Sequence, residues 1–327
     1  MSLLPVQAHT QGHPKATAKP TLLVVNQGDK TISVVDPVAM QQVATISEGV
    51  TAVHGHEAVA SPDGRTAYVP IYGSSGVGLP GIDGHEMLVI DIPTRKITAH
   101  VDFGHGVRPH CVIYDRKRGL LYVTTELDNA VTIVDPHTLK IVGTIPTLQQ
   151  QSHMLAISHD GRRGYTANVH PGTVSVLDLN ARKPLAVIPI SDTIQRISVS
   201  NDDSMVFTSD QNKPRLAVIN TATNKIDDWI LLPGTGYGSA STKNGRYLLV
   251  AIPDNNLVAV VNLGNLKVVR TISVPSSPQE ILVRPDGKVA YVSCSTKKQV
   301  AVIDLSTWKV QKLINVGAGA DGLAWAP

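Results

Sequence analysis

Aromatic residues are scarce, with 2 Phe, 3 Trp and 8 Tyr among 327 residues, so any core must be built from aliphatic side chains. Cysteine is nearly absent too. Cys111 and Cys294 are too few and too far apart in sequence for a disulfide framework. No apolar run reaches the roughly 18 residues that a membrane-spanning helix needs, so no membrane insertion is expected. Excess charge is also missing: 29 Lys and Arg against 26 Asp and Glu leave a net charge of +3, and only 17% of residues are charged. That balance excludes a disordered polyelectrolyte. The basic residues are scattered through turns such as Asp115-Arg116-Lys117-Arg118 and form no stripe, so no nucleic-acid partner is expected. The first twenty residues are polar and Pro-rich, with no apolar stretch of signal-peptide type. Residues 1–20 are therefore expected to be a flexible tail, either the start of a mature secreted chain or a plain disordered end.

Repetition is the strongest positive signal. Four short β-type segments recur in order. The first is seen at Leu155-Ala156-Ile157-Ser158 and Ile281-Leu282-Val283-Arg284, and the second, after a turn, at Leu121-Tyr122-Val123-Thr124 and Ala290-Tyr291-Val292-Ser293. The third alternates apolar and small residues and ends in Asp or Asn, as in Val131 to Asp135 and Val258 to Asn262, and the fourth starts near a Lys. Equivalent positions at the first segment are His56, His110, His153, Gln195, Tyr237, Gln279 and Asp321, spaced by 54, 43 and then four times 42 residues. Seven four-stranded units follow, with an excess of 12 residues after the first.

The ends decide how the units are arranged. The chain after the tail begins at Thr21-Leu22-Leu23-Val24-Val25 with a second strand, and it ends at Ala320 to Pro327 with a first strand. The last strand is expected to complete the first unit, leaving no orphan sheet edge there. The fold class predicted is all-β, a single seven-bladed β-propeller over residues 21–327.

The segments Tyr122-Val123-Thr124-Thr125, Tyr165-Thr166-Ala167-Asn168 and Tyr291-Val292-Ser293-Cys294, each leading into a V-x-V-[IL]-D strand, resemble the YVTN repeat of seven-bladed propellers, among them YncE-like and lactonase-like proteins. The resemblance implies a periplasmic setting; a periplasmic or secreted protein is expected, and a monomer. The resemblance does not fix the activity, because this fold carries binders, lactonases, lyases and metal enzymes.

The ring of seven equivalent residues opens on one face, and the excess maps to the loop of about Ile71 to Glu86 over the same face. That Gly-rich loop is either a mobile lid or a tolerated insertion. Gly76-x-Gly78-x-x-Gly81 within it matches a dinucleotide fingerprint, but no helix follows, so the phosphate-cradling mechanism is missing. His56, His110 and His153, on three consecutive blades, offer three imidazoles to an open metal site, with Gln195 as a fourth ligand. His54, His105, His85, Gln279 and Asp321 are further funnel candidates, and Asp321 suits the fixing of an imidazole tautomer. Arg196 is a candidate clamp for a carboxylate, Glu57 and Glu280 for proton transfer, and Tyr237 for donation or stacking. Alternation along the strands instead turns Glu57, Arg196 and Glu280 between blades as ion pairs. Glu126 and His170 are weaker candidates on the same face.

Two functions fit this pattern. One is a lyase or hydrolase acting on a small polar or carboxylated compound, with a divalent Zn, Mn, Fe, Cu or Ca ion on the His set, similar to propeller lyases with a three-His-plus-Gln site, or with no metal and imidazole acid–base chemistry. The other is a non-catalytic YncE-like binder of a small ligand, metal ion or protein partner.

Overall fold

Asp or Asn at the end of each third strand shows how one repeat unit folds. Asp36 Oδ1 accepts from the N–H groups of Val38 and Ala39 at 2.8 and 2.9 Å, and Met40 then takes φ +51° and sends the chain back as the next strand. Asp178, Asn220 and Asp304 close their turns in the same way. A short polar side chain that bonds its own following backbone makes the turn a local property of the sequence.

The computed structural model describes residues 19–327. It forms seven sheets in a ring, each antiparallel and four strands deep, as the repeat predicts. Blade three is representative, with strands Pro109–Asp115, Leu120–Thr125, Ala130–Asp135 and Lys140–Pro146 from the axis outward. The second and third strands are buried on both faces and the fourth is largely exposed. In blade two the inner strand is split into His54–Gly55 and Val59–Ala60, both pairing with Thr66–Gly73. Ring closure is as expected. Ala320–Ala326 runs antiparallel to Thr21–Asn26, with Leu23 opposite Ala324 and Thr21 opposite Ala326.

The core lies between blades. Leu22, Val24 and Val35 of blade one, for example, pack with Tyr291 and Val302 of blade seven, and each fully buried side chain of this kind contributes about 1.5–3 kcal/mol. Among the described residues, no helix is long and apolar enough to cross a membrane. The expected 1–20 tail falls outside the described residues except for Lys19 and Pro20. Much of the 12-residue excess is strand and not loop: Thr66–Gly73 and Asp83–Asp91 continue pairing through Ile71 opposite Glu86 and Gly73 opposite Asp83, leaving only 74–82 as a loop.

Candidate functional site

The pairing of first with second strands shifts register near the channel mouth, between Val24 and Asn26, Val123 and Thr125, Ser152 and Met154, Ile194 and Ile197, and Pro278 and Ile281. A bulge interrupts the two-residue alternation, so a residue such as Arg196, which strict alternation turns aside, reaches across the channel. Alternation turns Glu57, Arg196 and Glu280 between blades as ion pairs, and those pairs do form between blades, but they meet across the channel.

Arg196, 3% exposed, sits at the centre of this lower tier. Its guanidinium bonds Glu57 of blade two, Glu280 Oε2 of blade seven at 3.0 Å and Asp321 Oδ1 of blade one at 2.8 Å. Tyr237 covers it, with the ring centroid 4.8 Å from Cζ. Burial alone would lower the Arg196 pKa, but the surrounding carboxylates hold it well above its ordinary value. Burial, reinforced by Glu280 and Asp321, pushes Glu57 up to about 8, and burial pushes Glu280 to about 6. Burial also works on Asp321, but there Arg196 and His56 prevail and its pKa is lowered. Arg196 is thus committed to the protein's own carboxylates and is not a free clamp for a substrate.

Above this tier lie four imidazoles. His110 lies over His153 with ring centroids 3.5 Å apart, and His56 is 4.9 Å from both His110 and His54. His56 Nδ1–H donates to Asp321 Oδ2 at 3.0 Å, and its Nε2 accepts from Gln27 Nε2 at 3.1 Å. His153 Nδ1–H donates to Glu126 Oε2 at 3.1 Å. Two carboxylate–imidazole pairs therefore flank His110, and each carboxylate fixes the tautomer and ring angle of its imidazole. Burial, helped by the neighbouring rings, lowers the His110 pKa well below its ordinary value. His153 is lowered by burial against the opposing pull of Glu126, and His54 is lowered to about 4 by burial, His56 and Lys30. Glu126 is pushed up by burial but ends below its ordinary value because His153, Tyr72 and Arg108 outweigh it.

Tyr72 binds the group together. It meets His56, His110 and His153 edge-on at 5.3, 5.2 and 5.5 Å, and its hydroxyl donates to Glu126 Oε2 at 2.8 Å. Tyr72 and Gln27 are not among the residues expected from sequence, and Glu126 is only a weaker one of them. The available signal was the repeat itself: Glu126 starts a 3₁₀ turn whose equivalents start with Pro253 and Ser295, so the carboxylate is a departure with no role in the turn.

Other candidates stand apart. Gln195 Nε2 reaches Tyr237 OH at 3.3 Å, and Gln279 bonds Ser277 in its own blade. His105 is exposed and bonds Asp128, and His85 is exposed and bonds Asp102. Four imidazoles, His54, His56, His110 and His153, crowd the funnel, and the expected His105 and His85 do not join them. The His56, His110, His153 and Gln195 set does not fit a coordination shell: the His110 and His153 rings lie 3.5 Å apart with their planes 31° apart, His56 Nε2 is taken by Gln27, and Gln195 turns to the next blade. Among the described residues, no group of three or more His, Cys, Asp or Glu is placed to hold a metal ion.

A seven-bladed propeller with a histidine-lined funnel is therefore the class that fold and site define. The chain belongs to the family of seven-bladed lactonase β-propellers, whose pattern matches residues 25–228, more than half of it, while that of YncE-like β-propellers matches residues 230–326. No curated protein matches the chain. Among solved structures it is similar to Kuenenia stuttgartiensis hydrazine synthase, with 16% identity and a TM-score of 0.73 over 85% of this chain and 91% of that one. It is also similar to the dihydro-heme d1 dehydrogenase NirN in complex with DHE, with 18% identity and a TM-score of 0.66 over 95% of this chain and 66% of that one. Both likenesses are of fold alone.

Proposed function

We propose that this protein is a lactonase-like hydrolase or lyase that acts on a small polar or carboxylated substrate by imidazole acid–base chemistry in the funnel. The observation that carries this reading is the pair of carboxylate–imidazole couples, Asp321 with His56 and Glu126 with His153, set on either side of His110. Each carboxylate accepts the Nδ1 proton and leaves Nε2 as the basic nitrogen, the arrangement that general base catalysis requires. His110 and His153 are neutral at physiological pH, so a base is present. In this reading one imidazole removes a proton from water or from the substrate carbon and, as the imidazolium so formed, returns that proton to the leaving oxygen. Tyr72 holds Glu126 and the rings in place. No step is routed through a metal ion, because Gln27 engages His56 Nε2 and Gln195 turns away to Tyr237.

The test is turnover of a panel of small lactones and carboxylated elimination substrates by the wild type and His153→Gln. Loss of about 10²–10⁴-fold in the variant, the usual contribution of a positioned acid or base, supports the reading. Saturable binding without turnover by the wild type would favour the non-catalytic binder. A monomer acting in the periplasm or outside the cell completes the proposal, the periplasmic setting on the strength of the YncE-like resemblance, and sedimentation and fractionation test it.

A further inference from the structure

Against the 74–82 loop, and lined by Glu126, lies a cavity of about 440 Å³. Its walls include Leu79 and Pro80 of the loop, Arg108, Asn129, Gln150 and Glu126. Arg108 straps the loop down: Nε donates to Asp83 Oδ1 at 2.6 Å, Nη2 to the Leu79 carbonyl at 2.8 Å and Nη1 to the Gly76 carbonyl at 3.4 Å. Glu126 is 1% exposed. Its Oε2 accepts from Tyr72 and His153, while Oε1 is buried with no hydrogen-bond partner.

A buried carboxylate oxygen without a donor is costly, and Glu126 is among the residues that line the cavity. Arg108 Nη1 stands 4.0 Å from Glu126 Oε1, too far for a direct hydrogen bond. An oxygen about 2.8 Å from each atom subtends an angle of about 90° between them, which lets one hydroxyl accept from the guanidinium and donate to the carboxylate. One water molecule would satisfy the pair but fills about 30 Å³, whereas the cavity is in the range of small-molecule sites. The carboxamides of Asn129 and Gln150 offer both donors and acceptors to further hydroxyls.

We propose that this cavity is a ligand site distinct from the funnel, taking a small uncharged polyol, one hydroxyl of which bridges Arg108 Nη1 and Glu126 Oε1. Net charge favours a neutral ligand, since Asp83 and Arg108 already pair and Glu126 repels an anion. The occupant touches the carboxylate that orients His153, so the site sits where binding is felt in the funnel.

Titration calorimetry on the full chain tests this with glycerol, myo-inositol and glucose as neutral probes and lactate as the anionic control. The expected result is saturable one-site binding of at least one polyol. Binding falls about tenfold or more in Gln150→Ala/Asn129→Gly, which removes two carboxamides, and is retained in the funnel variant His110→Ala. Asn129 has φ +54°, which Gly tolerates, and an unchanged melting temperature confirms that the double variant is folded. Absence of saturable binding by every polyol up to its solubility would overturn the proposal and leave the cavity to water. So would binding of lactate alone, or binding lost in His110→Ala and untouched in the double variant.

Discussion

Replacing Arg196 by Met keeps much of its length and removes its charge. The variant strands Glu57, Glu280 and Asp321 in the centre of the ring, where the guanidinium is the cation common to all three and His56 is a further partner of Asp321 alone. Leaving a buried ion pair without one partner costs about 3–5 kcal/mol, and here three carboxylates lose the same partner. Loss of the Tyr237 contact at 4.8 Å adds about 0.5–2 kcal/mol. Against a total stability of about 5–15 kcal/mol, the variant is expected to be marginal at pH 8. The stranded carboxylates can escape by binding protons, so the deficit shrinks as the pH falls toward 5. Urea denaturation at pH 5, 6.5 and 8 measures it. A loss below about 1 kcal/mol, or one that does not grow with pH, would refute the idea that the cluster is held by charge.

Other consequences follow from the same geometry. In the wild type, Glu57, Glu48 and Glu280 have folded pKa values of about 8, 7 and 6, above the ordinary 4.5; their stabilising effect is complete below 4.5 and is lost as the pH rises through those values. His54, His110 and His153 are lowered from 6.5 and act in the opposite direction below that pH, joined near pH 4 by Asp321 and Glu126. The unfolding free energy should therefore fall as the pH rises above 6.5, by about 1.4 kcal/mol per pH unit per group still titrating, and fall again as the pH drops below about 4.5. Gly322→Ala would put a Cβ 2.4 Å from the His56 carbonyl oxygen and 2.7 Å from Glu57 Cα. This overpacking at the closing strand should cost about 1–3 kcal/mol and lower the melting temperature by several degrees, whereas an unchanged melting temperature would show that the closure is loose. Elemental analysis of tag-free protein should find no stoichiometric divalent metal; a full equivalent that disappears in His56→Ala/His110→Ala would overturn the metal-free reading.

The architecture was legible because each unit carries its own turn chemistry and its own period. Asp36, Asp178 and Asp304 close turns through contacts two and three residues away, and such contacts are visible in sequence. The ring of His56, His110, His153, Gln195, Tyr237, Gln279 and Asp321 was legible for the same reason. Partnership was not. Arg196 meets Glu57 from 139 residues away, through bulges that period-two reasoning cannot see. Tyr72 lies at the start of an insertion with no counterpart in the other blades, so no repeat comparison singles it out, although its ring touches three of the four funnel imidazoles.

The central claim is that imidazoles held by carboxylates carry out proton transfer in the funnel. The most direct measurement is the turnover of the lactone and elimination panel by the wild type, Glu126→Gln and Asp321→Asn, with fold checked by circular dichroism. Each amide keeps the shape of its carboxylate and removes its charge. The account predicts turnover of at least one substrate by the wild type, with kcat reduced about 10²-fold or more in Glu126→Gln. A substrate turned over equally well by the wild type and both folded variants would contradict it.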